Sequence, residues 1–276
     1  MKSIGIYYNP LHFTDRSKIS KKIKYLRDCG LNVFLLDEQK DAIFSNITYV
    51  KKFLRRQIDS VIVFGGDGTM LAIARKILFE GIPLLGFNYG KLGFLSECNK
   101  NEFIQIIDKL IHKNYSIEKR DALYCKVNND QYYAINDIVL SKGNYPKLIG
   151  INIYQNNDYL YMLRGDGVII ATPIGSTAYS LSAGGSILHP DCKNFIVTPI
   201  NPHNQFSKPV VFSSDSNFEI KLESNVKCWL SIDGENTCRV SQLDKINIEK
   251  SKYQSYFIKF KNKNFLRILR KKFTLE

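Results

Sequence analysis

Residues 61–69 read Val-Ile-Val-Phe-Gly-Gly-Asp-Gly-Thr, and the fold turns on how this stretch is read. Val61 to Phe64 is a continuous apolar run bounded by glycine, the pattern of a central parallel strand buried on both faces. It breaks at once into Gly65-Gly66-Asp67-Gly68-Thr69, and from Met70 to Phe79 apolar residues return at helical spacing. A strand, a glycine-rich turn and a helix in immediate succession predict an α/β sheet.

The flanks repeat the alternation. Ser3 to Asn9 predicts a buried strand, Thr14 to Cys29 an amphipathic helix stopped by Gly30, and Asn32 to Leu36 a second strand. A helical stretch is expected from there to about Arg55, then a strand over Pro83 to Phe87 and a helix over Asn101 to His112. After about residue 119 the texture changes to short alternating segments divided by turn clusters such as Asn128-Asn129-Asp130 and Asn156-Asn157-Asp158. Ala122–Val127, Ile149–Tyr154, Tyr159–Leu163, Phe218–Leu222 and Cys228–Ile232 all read as strands of a β sandwich or barrel. Ser255 to Phe273 closes the chain as a strand and then a basic helix. The expectation is α/β plus all-β: a parallel-sheet domain over 1–118, a β-rich domain over 119–252 and a tail over 253–276. A cleft between two such domains is a favoured place for a ligand.

Of 276 residues, 44% are hydrophobic and 24% charged, which excludes wholesale disorder. The formal net charge of +13 points to nucleic acid, an anionic membrane or a polyanionic small molecule without choosing among them. No apolar run approaches the ~18 residues that span a bilayer, and the start, MKSIGIYYNP, enters a strand pattern rather than a signal segment. Six scattered cysteines with no C-x-x-C pair argue against a zinc site or disulfide framework and for a reducing, cytoplasmic setting.

Glycines at 65, 66 and 68 let the backbone approach a ligand closely, and a helix start offers free N–H groups to an anion such as phosphate. A carboxylate in such a loop repels phosphate. Asp67 makes sense if it holds a metal or accepts a proton from an attacking hydroxyl; the bland alternative is a helix cap. There is no P-loop, and the dinucleotide pattern G-x-G-x-x-G fails twice, at Leu71 and at Ile170. A second dense region, GDGVIIATPIGSTAYSLSAGG over 165–185, packs small residues and hydroxyls into one span. It can wrap a planar ligand, with Ser176, Thr177 and Ser182 as hydrogen-bonding groups and Tyr179 as a stacking face. Its alternative is a tight crossing with a short helix over 176–182.

Taken together, GGDGT (65–69), NYGKLGFLSE (88–97), IND (135–137), the 165–185 stretch, His189-Pro190 and TPINPHNQFSKPVVF (198–212) resemble the NAD kinase family in order and spacing. GGDGT alone is shared with lipid kinases; TPIGSTAYSLSAGG is the discriminating part. The resemblance implies a Rossmann-like domain and a β sandwich, with the tail returning to the first domain. It also implies ATP- or polyphosphate-dependent phosphorylation of the adenosine ribose 2′-hydroxyl of NAD, with a divalent cation such as Mg2+. By resemblance Asp67 is the catalytic carboxylate and also touches NAD, while Gly65, Gly66, Gly68 and Thr69 lie at the phosphates. Gly68, Phe94, Asn136, Asp137, Asp166, Thr177, Ala178, Tyr179 and Ser182 match NAD-binding positions. No metal ligands can be named, since the chain has no compact carboxylate cluster. The family implies a homodimer or homotetramer acting on NAD and ATP, with no nucleic-acid or membrane partner. Two positions depart from the pattern: Asp137 stands where Glu is usual, and Ile174 where a small hydroxyl residue is usual.

Other features read as structural. His189 and His203 have proline neighbours that suggest turns, His12 and His112 look like surface or helix-end residues, and Trp229 lies in an apolar strand. Asp233-Gly234 reads as a hairpin turn; the resemblance implies a place near the ligand, because the family keeps a similar pair there. Lys259 to Lys272 holds seven basic residues and no acid. There Phe265, Leu266, Leu269 and Phe273 would form an apolar stripe opposite Arg267, Arg270 and Lys271, the mark of a docked helix with a solvated basic face or of a membrane or nucleic-acid handle. The alternatives to an NAD kinase are a GGDGT-type lipid kinase and a nucleotide- or RNA-binding protein.

Overall fold

The computed structural model describes residues 2–10, 15–44, 47–89, 93–96, 98–203, 207–223, 226–260 and 265–273. The chain forms two compact units, Met1–Lys119 with Gln254–Glu276, and Arg120–Tyr253. His12, residues 90–92 and 97 of NYGKLGFLSE, residues 204–206 of TPINPHNQFSKPVVF, and Lys261 and Lys263 of the basic stretch lie outside the described residues.

In the first unit the strands are β1 (Ser3–Tyr8), β2 (Asn32–Leu36), β3 (Thr48–Val50), β4 (Ser60–Phe64), β5 (Leu84–Asn88) and β6 (Cys98–Asn99). They run parallel in the order β5-β4-β1-β2-β3, with β6 added beside β5. The helices are α1 (Arg16–Asp28), α2 (Asp67–Lys76) and α3 (Phe103–Ile111). Every residue of β4 is buried, as its unbroken apolar run requires. Ile19, Ile23 and Leu26, one face of α1 at helical spacing, join Ile6, Tyr8, Ile62, Phe64 and Phe87 in a single core.

The helix expected up to Arg55 does not form. A three-residue 3-10 turn at Asp37–Gln39 is followed by β3, paired in parallel with β2. Thr48, Tyr49 and Val50 are β-branched or aromatic, and a free edge on β2 gives their backbone ladder partners that a helix would forgo. A second shift concerns α2, which begins at Asp67 rather than Met70.

In the second unit the strands, all antiparallel, are β7 (Ser116–Val127, from Arg120 onward), β8 (Asp130–Ala134), β9 (Asp137–Ser141), β10 (Ile149–Gln155), β11 (Asp158–Gly165), β12 (Gly167–Ala171), β13 (Asn194–Ile200), β14 (Val210–Ser213), β15 (Phe218–Leu222), β16 (Cys228–Ile232), β17 (Glu235–Val240) and β18 (Ile246–Lys259, up to Tyr253). One sheet runs β14-β13-β12-β9-β16-β17, and a second carries β11-β10-β15-β18. Leu140, Ile170, Phe195 and Leu230 from the first sheet share a core with Ile151, Leu163, Phe218 and Ile248 from the second, which makes the unit a β sandwich. On its other face the first sheet buries Val139, Ile169 and Ile196 under Leu188.

The last residues of β18 rejoin the first unit, where Phe257 sits opposite Leu84 in a parallel pairing with β5. The terminal helix α5 (Phe265–Phe273) belongs to that unit as well; α4 (Tyr179–Ser182) belongs to the second. Among the described residues, no helix is long and apolar enough to cross a membrane.

Candidate functional site

The turn after β4 is fixed by two backbone bonds: the Gly65 N–H donates to the Phe87 carbonyl (3.0 Å), and the Met70 N–H to the Gly66 carbonyl (3.1 Å). This leaves Gly66 as the N-cap and Asp67 as the first residue of α2. The Asp67 carboxylate reaches to the segment 93–96. Oδ2 accepts the Phe94 N–H (2.8 Å), while Oδ1 accepts the N–H of Leu95 (3.0 Å) and the N–H and Oγ–H of Ser96 (3.4 and 3.2 Å). The helix-cap alternative is thereby set aside. Gly93 permits this approach, because a Cβ there would lie 1.9 Å from Oδ1. Gly68 is exposed, and Gly65, Gly66 and Thr69 are partly so. Lys272 of α5 brings Nζ to 3.9 Å from Oδ2 and 4.2 Å from the centre of the Phe94 ring. Among the described residues, no group of three or more His, Cys, Asp or Glu side chains could hold a metal ion. Both Asp67 oxygens are already engaged by donors, and among the described residues this carboxylate has no cage of further acidic, His or Cys ligands around it.

The second unit assembles a different carboxylate. β9 opens at Asp137, which lies opposite Ala171 of β12. Between β16 and β17 the chain turns through Asp233 and Gly234, both at positive φ (49° and 83°), as a two-residue hairpin requires. Asp233 then accepts the N–H groups of Ile135 (3.0 Å), Asn136 (2.7 Å) and Asp137 (3.2 Å), and its own N–H donates to the Asp137 carbonyl (3.0 Å). The turn therefore locks residues 135–137. Asp137 is only 3% exposed, and burial, followed by the charge of Asp233, pushes its carboxyl up to about 7. Beside it the Asn136 Oδ1 is buried with no hydrogen-bond partner among the described residues.

The 172–188 loop is stitched to the same place. Thr172 donates Oγ1–H to the Ile135 carbonyl (2.7 Å) and its N–H to the Asn136 carbonyl (2.8 Å). Gly175 is needed because a Cβ there would stand 2.0 Å from the Asn136 carbonyl oxygen. Beyond it, a 3-10 turn at Gly175–Thr177 leads into α4. Tyr179 is 46% exposed, Ser182 exposed, and Thr177 and Ala178 half-buried. Asp166 is tied to Lys142 (2.7 Å) and Asn201 (3.0 Å), which together hold its carboxyl below the usual range.

Several side chains behave differently from the sequence reading. Ser176 is fully buried, donating to the Pro173 carbonyl (2.6 Å) and accepting the Leu188 N–H (3.0 Å), so it ties the loop together rather than facing a ligand. The Thr177 hydroxyl donates to the Ile174 carbonyl (3.0 Å) and keeps only its acceptor capacity. Trp229 is half-buried beneath the Arg239 guanidinium (4.8 Å) rather than in the core. Leu266 is 59% exposed and falls off the apolar stripe of α5. The role of Asp233 as an amide anchor and the reach of Lys272 to Asp67 went unread. Asp-Gly announces a hairpin, but nothing in the chain says which distant amides its carboxylate will meet.

An amide-seated carboxylate at a glycine-rich helix start, with a second unit offering a hydroxyl-rich loop beside a buried carboxylic acid, is the equipment of a nucleotide-directed phosphotransferase. Residues 9–115 match the model of the ATP-NAD kinase N-terminal domain, and residues 135–260 that of the ATP-NAD kinase C-terminal domain. The NAD kinase of Clostridium botulinum (strain Kyoto / Type A2) is 37% identical over 99% of this chain and 96% of its own length. That of Caldanaerobacter subterraneus is 36% identical over 99% of both chains. Among solved structures, yeast NADH kinase complexed with NADH is similar at a TM-score of 0.88 and 27% identity, covering 100% of this chain and 89% of its own. An NAD kinase from Archaeoglobus fulgidus in complex with ATP is similar at 0.75 and 27%, covering 98% and 97%. The chain belongs to the NAD kinase family.

Proposed function

We propose that this protein transfers the terminal phosphate of ATP to the 2′-hydroxyl of the adenosine ribose of NAD, forming NADP. Its family makes it a phosphotransferase with NAD as acceptor. The observation that carries the finer reading is the Asp67 carboxylate, held in one orientation by the amides of residues 94–96 yet still 29% exposed. A fixed, partly open carboxylate is suited to take a proton from a hydroxyl as it attacks phosphorus.

In this reading the 1–118 portion holds the donor phosphates at Gly65, Gly66, Gly68 and Thr69, and Phe94 lies beside the dinucleotide. The 119–252 portion holds NAD: Asn136 and Asp137 meet the adenosine ribose, while Asp166, Thr177, Ala178, Tyr179 and Ser182 line the rest. The tail over 253–276 serves the first portion. The Asn136 Oδ1, buried and without a partner among the described residues, supports a hydroxyl donor from a ligand at that position. Asp137, with its carboxyl raised to about 7, is protonated in about half of the molecules near pH 7 and then has a proton to donate as well as lone pairs to accept. A divalent cation bound with the nucleotide would neutralise phosphate oxygens during transfer. The enzyme works in the cytoplasm as a homodimer or homotetramer.

The test incubates purified protein with NAD, ATP and magnesium and detects product with an NADP-specific dehydrogenase. Parallel arms replace ATP by polyphosphate and NAD by NADH. NADP formation is expected with ATP and NAD; no product in any arm would remove the proposal.

A further inference from the structure

The C-terminal helix does more than dock. α5 meets the ring of Phe94 at two points, through its first residue and through its last but one. Phe265 packs against it with ring centres 5.9 Å apart, and the Lys272 ammonium stands 4.2 Å from its centre, a cation–π distance. Phe94 is the residue whose N–H donates to Asp67 Oδ2, and Lys272 Nζ lies 3.9 Å from that same oxygen. Both Lys272 and Asp67 are about one-third exposed at the side chain, so the pair is neither fully buried nor free in solvent.

We infer that α5 is a clamp on the Asp67 carboxylate, with Lys272 as a positioning residue for phosphoryl transfer. Phe265 and Lys272 press on one ring, the ring fixes the 94–96 backbone, and those amides fix the carboxylate. The basic face of this helix is therefore directed, at one residue, to the reaction site rather than to a membrane or nucleic acid. Lys272 also places one positive charge beside the position where the attacking hydroxyl loses its proton, which a neutral side chain would not do. The catalytic half of this inference rests on the proposed NAD kinase reading; the clamp itself rests on the geometry alone.

Two measurements on the full-length protein separate them. The first is hydrogen exchange at the Phe94 and Leu95 amides in wild type and in Phe265→Ala and Lys272→Met. Exchange is expected to quicken by ~5–50-fold in both variants, as local opening becomes easier. Unchanged protection in both would overturn the clamp whether or not the protein makes NADP. The second is steady-state kinetics of Lys272→Met and Lys272→Arg, with the melting temperature as a folding control. Lys272→Met should lower kcat by ~10–100-fold with the KM for NAD within ~2-fold, the signature of an interaction made in the transition state. Lys272→Arg keeps the charge and the ring contact and should recover most of the rate. A kcat near wild type in Lys272→Met, or a loss that arginine does not restore, would overturn the positioning role. A wild type inactive on NAD, with the exchange effect intact, would instead fault the functional reading.

Discussion

Asp67 and Asp137 are both carboxylates at the start of a regular element, yet their surroundings are opposite. Asp67 opens α2 with four donors on its oxygens, an ammonium at 3.9 Å and 29% of its side chain exposed. Asp137 opens β9 buried, with another carboxylate as its charged neighbour and no hydrogen bond to its side chain among the described residues. The first environment holds an anion still; the second makes an anion costly. A protein needing one carboxylate to accept a proton and another to recognise a neutral sugar hydroxyl would separate them in this way.

The largest expected effect lies on the Asp67 side. Asp67→Asn should lower kcat by ~1,000-fold or more, within the usual reach of losing a positioned base. Its amide would also present an N–H to the Phe94 N–H in one orientation, so NAD affinity is measured separately, by calorimetry, and should stay within ~3-fold. A variant with near-normal kcat would end the distinction between the two carboxylates. Gly93→Ala should follow, with kcat down by ~100-fold, because the new methyl, 1.9 Å from Oδ1, pushes the Asp67 carboxylate aside by ~1 Å or more, the order of misplacement that costs such a factor. Normal kinetics in Gly93→Ala would mean that the orientation of Asp67 does not matter.

On the Asp137 side the effects are smaller and fall on binding. Asp233→Ala removes the acceptor of the Ile135, Asn136 and Asp137 amides and leaves them unpaired. The KM for NAD is expected to rise by ~10–30-fold with kcat changed by less than ~3-fold, since only ground-state contacts loosen. A fall in kcat with an unchanged KM would show that the second unit also shapes the transition state.

How legible all this was follows from what each motif depends on. The Val61–Phe64 strand and the glycine turn were readable because their burial and backbone demands are local. The sandwich was readable because alternation with turn clusters recurs through the second half. The stretch after Leu36 misled because its residues are amphiphilic in either period, and β2 next door decided the outcome. Ser176 misled because a hydroxyl in a tight loop serves the loop's own amides as readily as a ligand's. Asp233 and Lys272 went unread for a stronger reason. Their partners lie 96–98 and 205 residues away along the chain, so their roles exist only once the fold has formed.

The smallest expected effect tests the electrostatic half of the comparison directly. The Asp137 carboxyl is raised from 3.8 to about 7 by burial and by Asp233. A group raised in the folded state leaves stability intact at low pH and subtracts from it as pH climbs from the unfolded value through the folded one. The full subtraction, about 4 kcal/mol for a shift of this size, is reached only above pH 7. Asp137→Asn is a neutral near-isostere that never ionises, so its melting temperature should exceed that of the wild type by a margin that widens from pH 5 to pH 8. Each kcal/mol recovered is worth ~2–4 °C in a chain of this size. Weaker NAD binding should accompany the gain, with KM up by ~10-fold for the lost carboxyl contact. A margin that stays constant with pH would show that Asp137 is already ionised at pH 5 in the folded protein, as it is in the unfolded chain, and the contrast with Asp67 would then rest on hydrogen bonding alone.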